Sequence, residues 1–214
     1  MTDQTRTLIF LIRHGQSDGN REGRFRGRHD FPLDETGLRQ AEEAAAALKN
    51  APIQAVYSSP LVRAVSTAEP IARALGLGVE LVPGLTNISL GSWEGVKKDE
   101  IARRFPELWH LWLTDPESLA EPGMETLQQA GRRAKKALDE LVRRHAGGAF
   151  AVVSHRSVIK PMLAECLGIG QPSFWRLAVD AASISLLAHE PDRGYMLLFH
   201  NRTNHLTKTE IDWN

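Results

Sequence analysis

A short apolar run that ends in Arg-His-Gly constrains this chain more than any other stretch. Leu8 to Ile12 is apolar, and Arg13, His14 and Gly15 follow directly. An apolar run of this length, closed by a glycine, is typical of a buried strand. Open α/β sheets hold their ligands beyond the carboxyl ends of their strands. The sequence therefore predicts that this strand delivers a cation and an imidazole to a ligand site.

Predicted strands and helices alternate along the rest of the chain. The further predicted strands are 53–57, 79–82, 149–154, 183–188 and 195–199, and the main predicted helices are 34–50, 60–75, 125–145 and 157–167. Such alternation favours a three-layer αβα domain with a mainly parallel sheet, and the last two strands predict an antiparallel edge. Prolines and tryptophans interrupt the alternation between the predicted strands 79–82 and 149–154. We expect one domain over 1–214, with a small helical cap insertion at about 84–123.

Composition excludes several classes of partner. Lys plus Arg and Asp plus Glu both number 26, so no net charge draws the chain to nucleic acid or to a membrane surface. One cysteine, Cys166, excludes an internal disulfide, and without a signal-like or membrane-spanning run we expect a cytoplasmic protein. No third ligand accompanies His200 and His205, so we predict no metal and no cofactor. Apolar strands near the carboxyl end would allow a homodimer through a sheet edge.

Histidine ends two predicted strands. His14 follows the first strand, His155 follows the strand 149–154, and a third strand precedes a helix that carries Arg63. Because these strand ends share one edge of a parallel sheet, we expect the three side chains and Arg13 to converge. Guanidinium groups match phosphate oxygens bidentately. An imidazole among fixed cations loses its proton readily and can attack phosphorus, while a protonated second imidazole can stabilise the transferring group.

Spaced motifs, in order along the chain, carry a family resemblance. They are Leu11-Ile12-Arg13-His14-Gly15 with Asn20, then Gly27 with Asp30-Phe31-Pro32-Leu33, then 58–64, then Gly91-Ser92-Trp93-Glu94-Gly95, and finally Val153-Ser154-His155. With these motifs the chain resembles the histidine phosphatase superfamily, in its phosphoglycerate mutase-like branch, over nearly its whole length. The resemblance implies that His14 is a phosphohistidine nucleophile. It also implies that Arg13, Arg63, Asn20 and His155 hold the phosphate.

One position departs from the family pattern. The family usually has a carboxylic acid four residues before the glycine that here is Gly91, where it protonates the leaving oxygen, and this chain has Asn87. An amide cannot serve as an acid–base catalyst, and loss of such a group commonly costs about 10²–10⁴ in rate. Other interpretations remain open: Glu125 or Glu94 could replace the acid, with Glu125 slightly favoured, or the asparagine could be an engineered change.

Extra cations accompany the phosphate-binding motifs. Arg26 precedes Gly27, Arg28 and His29 follow it, and Arg156 stands directly after the second histidine motif, where the family often has glycine. We expect Arg26, Gly27 and Arg156 to contribute to substrate binding, which would suit a substrate with a second acidic group. The alternative is that one or both arginines point to solvent, as most isolated arginines do.

These observations favour a phosphomonoester hydrolase that acts on small phosphorylated metabolites, with a small-molecule phosphate ester as its only predicted partner. Catalysis would proceed through a phosphohistidine, and protonation of the leaving oxygen would be impaired because Asn87 replaces the expected carboxylic acid. Two alternatives remain open, namely a phosphoglycerate mutase and a non-catalytic protein that binds phosphorylated ligands. A dinucleotide-binding function is excluded because no Gly-x-Gly-x-x-Gly loop follows the first strand.

Overall fold

A six-stranded mixed sheet forms the centre of the protein, as described for residues 6–208 by a computed structural model. The strands are β1 Thr7–Arg13, β2 Val56–Ser58, β3 Val79–Leu81, β4 Ala149–Ser154, β5 Ile184–Glu190 and β6 Gly194–Arg202. Their order is β3-β2-β4-β1-β5-β6, with the first four parallel and β5 and β6 antiparallel. The predicted α/β class, with its mainly parallel sheet and antiparallel edge, is therefore confirmed.

Helices cover both faces of this sheet. They are α1 Asp18–Arg21, α2 Glu35–Leu48, α3 Val62–Leu75, α4 Lys98–Arg104, α5 Pro106–Thr114, α6 Leu127–Arg144 and α7 Arg156–Leu167. Side chains alternate across a strand, so Ile9 and Leu11 of β1 pack with α6 and α7, whereas Phe10 and Ile12 pack with α2 and α3. This two-sided burial explains why β1 is a continuous apolar run.

The register of the parallel strands aligns their carboxyl ends. Arg13 of β1 lies opposite Ser154 of β4, and Ser58 of β2 lies opposite Val153. The backbone N–H of His14 then donates to the Ser154 carbonyl oxygen at 3.0 Å. The residues that follow these three strands therefore meet at one edge of the sheet, as the sequence predicts.

The four main helices begin one or two residues from their predicted starts, with α2 at Glu35 and α6 at Leu127. Helix α7 starts at Arg156, one residue before its predicted start at 157, with His155 as its N-cap residue. His155 keeps an extended backbone directly after β4, and the chain therefore turns into a helix one residue later. Helix α3 starts at Val62 because Leu61 is still extended, which leaves Pro60 outside its first turn.

The segment between β3 and α6 carries α4, α5 and short 3₁₀ turns. Its tryptophans Trp93 and Trp112 are almost fully buried, in an apolar cluster with Phe25, Leu127 and Phe174. This cluster fixes the segment beside the loop that follows β1. Among residues 6–208, no helix has both the length and the hydrophobicity needed to cross a bilayer.

Candidate active site

His14 lies at the carboxyl end of β1 and is 2% exposed. Its Nδ1 is 2.6 Å from the carbonyl oxygen of Gly15. Because a carbonyl oxygen can only accept, Nδ1 carries the proton in this arrangement and Nε2 keeps its lone pair. Burial and the nearby charges of Arg63 and Arg13 hold the pKa of His14 well below its usual value. The imidazole is therefore neutral and has the form that a nucleophile requires.

Close backbone packing fixes the residues after His14. A Cβ atom at Gly15 would lie 2.6 Å from the carbonyl oxygen of Gly37 in α2, so a larger residue could not stand there without a backbone shift. The Gly15 N–H donates to Thr67 Oγ1 at 3.1 Å, and that hydroxyl donates to the Arg63 carbonyl oxygen at 2.8 Å. The turn after β1 is thus attached to two helices at once.

His155 faces His14 at the same sheet edge. The two ring centroids are 5.1 Å apart, and His155 Nε2 lies 2.7 Å from Ser59 Oγ. Its Nδ1 is buried and has no hydrogen-bond partner among the described residues. Burial, followed by the charge of Arg63, lowers the pKa of His155 well below its usual value. These effects favour the neutral form of His155, and a bound dianion would favour the protonated form considered from the sequence.

Two arginine side chains complete the charged cluster. Arg63 is fully buried, and its Nη1 and Nη2 donate to the carbonyl oxygens of His29 and Gly27 at 2.9 and 2.8 Å. Burial lowers the pKa of Arg63 to about 10, so the guanidinium stays charged at neutral pH. Arg13 is 1% exposed and donates to the Val179 carbonyl oxygen at 2.7 Å. The predicted convergence of Arg13, His14, Arg63 and His155 is therefore present in the structure.

The other predicted phosphate ligands differ in their surroundings. Asn20 belongs to the cap of α1, where its Oδ1 accepts from Ser17 Oγ at 2.7 Å. The charge of Arg26 reaches both imidazoles and contributes to their lowered pKa values. Arg156 is 5% exposed, with its guanidinium carbon 5.8 Å from the centroid of the Trp175 ring. The alternative that Arg156 points to solvent is therefore wrong, while its contact with a ligand remains a prediction.

Asn87 occupies a buried position linked to Arg63. Its Nδ2 donates at 2.8 Å to the Gly27 carbonyl oxygen, which also accepts from Arg63 Nη2. Asn87 is 6% exposed, and its Oδ1 has no hydrogen-bond partner among the described residues. Gly27 itself has φ +50°, a left-handed conformation that favours glycine. The amide therefore lies one carbonyl group away from a cation of the candidate phosphate site.

Glu125, the favoured replacement acid, is held in an ion pair. Its two carboxylate oxygens accept from Nε and Nη2 of Arg133, both at 2.8 Å. Burial acts to raise the pKa of Glu125, but Arg133 and Arg28 outweigh it and the net pKa is lowered. Both carboxylate oxygens of Glu125 are therefore held by Arg133, which argues against a proton on this side chain, and an acid role for it remains a prediction. Arg133 also donates to the carbonyl oxygens of Gly84 and Thr86, beside Asn87.

Glu94, the second candidate, packs against Gly27. A Cβ at Gly27 would lie 2.6 Å from Glu94 Oε1, and this oxygen accepts from the Leu90 N–H at 2.9 Å. The observed contacts of Glu94 therefore place it as an acceptor within its own turn, and an acid role for it remains a prediction.

We expect Glu125→Gln to destabilise the protein by about 1–2 kcal/mol, because a partly buried charge-assisted pair is lost. Because the pKa of Glu125 is lowered in the folded state, its contribution to the free energy of unfolding is fully present above the unfolded-state pKa of about 4.3. This contribution is lost as the pH falls through the folded-state pKa. Urea unfolding at pH 7 and pH 3 measures this. Glu42→Gln, which removes an exposed pair with Arg73, is the matched control and should change little. An equal loss in both variants at pH 7 would contradict the assignment.

Sequence reasoning gave no role to two residues that support the site. Ser59 contacts His155, and Thr67 connects Gly15 to Arg63. Both residues lie in the stretch 58–68. The position of Ser59 directly after β2 could have identified it, because the end of β2 lies at the same edge of the sheet as His14. Within the described part of the chain, no group of three or more His, Cys, Asp or Glu side chains is arranged to hold a metal ion.

The fold and this buried site define an α/β protein with two imidazoles and two arginines gathered at one edge of its sheet. A model of the histidine phosphatase superfamily (branch 1) matches residues 9–202, and the chain therefore belongs to this superfamily.

Relatives share the sequence and the fold. A protein of Mycobacterium tuberculosis described as bifunctional is 37% identical over 203 residues, which are 94% of this chain but 56% of that protein, so this chain spans about half of its length. Phosphoserine phosphatase 1 of Hydrogenobacter thermophilus is 34% identical, with 95% of this chain and 96% of that protein covered. The solved structure of a mycobacterial glucosyl-3-phosphoglycerate phosphatase with VO3 is 27% identical and superposes with a TM-score of 0.84, covering 92% of this chain and 99% of that one.

Proposed function

We propose that the protein is a phosphatase that acts on small phosphorylated metabolites through a phosphohistidine at His14. The observation that carries the proposal is the neutral, buried His14 with its Nδ1 proton held by the Gly15 carbonyl oxygen. This hydrogen bond leaves the Nε2 lone pair available, and the adjacent Arg13 and Arg63 match the oxygens of a phosphoryl group.

The proposed reaction has two steps. In the first, Nε2 of His14 attacks phosphorus, the bond to the leaving group breaks, and its electron pair departs with the leaving atom. Arg13 and Arg63 balance the charge on the phosphoryl oxygens, and His155 Nδ1 is the free imidazole position that can contact them. In the second step, water attacks phosphorus, the P–Nε2 bond breaks, and phosphate leaves with both protons of the water shared between its oxygens and the solvent.

The relatives support this class of substrate. One is named for phosphoserine and another for glucosyl-3-phosphoglycerate, and both names describe phosphorylated metabolites. The chain covers nearly the whole of each of these two relatives. The buried cations Arg13, Arg63 and Arg156 favour a doubly charged ligand over a neutral one.

We expect the purified protein to release inorganic phosphate from a phosphorylated metabolite or from p-nitrophenyl phosphate without added metal. A colorimetric phosphate assay measures this, and transfer between the hydroxyls of 3-phosphoglycerate is followed in parallel. Transfer without release would favour the phosphoglycerate mutase alternative. Absence of both, together with a higher melting temperature in phosphate, would favour the non-catalytic alternative suggested by Asn87.

A further inference from the structure

The buried amide of Asn87 and the carboxylates around it bear on which bond this site can cleave. The Gly27 carbonyl oxygen accepts from both Asn87 Nδ2 and Arg63 Nη2, so the amide adjoins the cation that is proposed to hold the phosphoryl group. Asn87 Oδ1 is buried and has no partner among the described residues. The side chain therefore presents an unused hydrogen-bond acceptor and no acidic proton.

Three carboxylates adjoin these residues, and their observed contacts are those of acceptors. Glu125 accepts from Arg133 with both oxygens, and Glu94 accepts from the Leu90 N–H. Asp30 accepts from the Val62 N–H with both oxygens, and its Oδ1 lies 3.6 Å from Arg63 Nη1. Each observed contact of these carboxylates is therefore made within a turn, at a helix start or in an ion pair, and not as a proton donor.

Leaving groups differ in how much they need such a proton. An alkyl phosphate departs as a strongly basic alkoxide unless an acid protonates it, and loss of that acid costs about 10²–10⁴ in rate. The nitrogen of a phosphoramidate can take up an extra proton from solvent before the reaction, and the phosphoramidate ion carries this ammonium form at neutral pH. When the N–P bond breaks, the electron pair stays on nitrogen and a neutral amine departs, so no enzyme acid is required. An N–H of that nitrogen is also the donor that a buried amide oxygen lacks.

We infer that this site prefers phosphoramidates, in which phosphorus is bound to nitrogen, over alkyl phosphate esters, with Asn87 Oδ1 accepting a hydrogen bond from the departing nitrogen. The inference rests on the proposed phosphohistidine function and deepens it by naming the substrate class. The step starts from the substrate with its nitrogen protonated: the Nε2–P bond of His14 forms, the N–P bond breaks with its electron pair kept on nitrogen, and a neutral amine leaves.

The test compares kcat/KM for three probes: the phosphoramidate ion, O-phosphoserine and p-nitrophenyl phosphate. For the unsubstituted protein, kcat/KM for phosphoramidate should exceed that for O-phosphoserine by about 10²-fold or more. Asn87→Glu should raise the value for O-phosphoserine by at least about tenfold and lower that for phosphoramidate, because an acid replaces an acceptor. p-Nitrophenyl phosphate needs neither a proton nor an acceptor, and its value should change by less than about threefold. Asn50→Glu, at an exposed position, is the matched control and should change none of them.

The outcomes separate this inference from the proposed function. Phosphate release from O-phosphoserine at least as fast as from phosphoramidate would overturn the preference while leaving the phosphatase intact. A uniform change of all three values in Asn87→Glu would overturn the role of Asn87. If Asn87→Glu does not fold, the ratio of kcat/KM for phosphoramidate to kcat/KM for O-phosphoserine in the unsubstituted protein still decides the preference. Absence of release from every probe would refute the proposed function itself.

Discussion

Replacement of His14 by alanine is expected to lower kcat for phosphate release by about 10⁴-fold or more, because the nucleophile is removed and no intermediate can form. His14 is the imidazole whose Nδ1 donates to the Gly15 carbonyl oxygen and whose Nε2 is left with its lone pair. Steady-state phosphate release measures the loss. His110→Ala, at an exposed position on α5, is the matched control and should keep full activity.

The His14→Ala variant should still bind phosphate. Arg13 and Arg63 remain in place in this variant, so phosphate should still raise its melting temperature. Loss of activity together with loss of this thermal shift would indicate a damaged site and not a missing nucleophile. Retention of more than a small fraction of the activity would contradict the assignment of His14.

Replacement of Arg63 by alanine is expected to lower kcat/KM by about 10²–10³-fold, because a fully buried cation no longer balances the charge on the phosphoryl group. Arg73→Ala is the matched control from the same helix, since Arg73 forms an exposed pair with Glu42. Arg63→Ala should therefore lose about 10²–10³-fold in kcat/KM, whereas Arg73→Ala should keep nearly the kcat/KM of the unsubstituted protein.

A second measurement separates this electrostatic role from a structural one. Burial is the largest cause of the low pKa of His14, and the charge of Arg63 is the next. Removal of Arg63 should therefore raise the pKa of His14 towards its usual value, which NMR titration of the imidazole detects. An unchanged pKa together with a low melting temperature would show that Arg63 acts only through packing with the carbonyl oxygens of His29 and Gly27.

The parts of the fold and site that the sequence predicted depend on short-range patterns. The apolar runs of β1 and β4 end directly before His14 and His155, and parallel pairing alone brings the ends of two such strands together. Arg63 follows β2 closely on α3, so its place at the same edge follows from the same rule. An apolar run followed directly by polar residues, found at each of these strands, was enough to predict that the side chains converge.

The parts that could not be predicted depend on contacts between distant segments. Glu125 was a candidate acid because it stands in a glycine-containing turn, but α6 places Arg133 directly against it. The link from Asn87 to Arg63 passes through the carbonyl oxygen of Gly27, a backbone atom that no sequence motif identifies. The burial of Arg156 against Trp175 joins α7 to a 3₁₀ turn that the pattern of apolar residues does not reveal.

Trapping of the covalent intermediate tests the central claim most directly. The protein is mixed with p-nitrophenyl phosphate, quenched in alkali within the first turnover, and digested for mass spectrometry, because a phosphohistidine survives alkali but is lost in acid. The account predicts one phosphoryl group on His14, absent from His14→Ala and unaffected by His110→Ala. A phosphoryl group on another residue, or phosphate release in a burst with no label on His14, would contradict it.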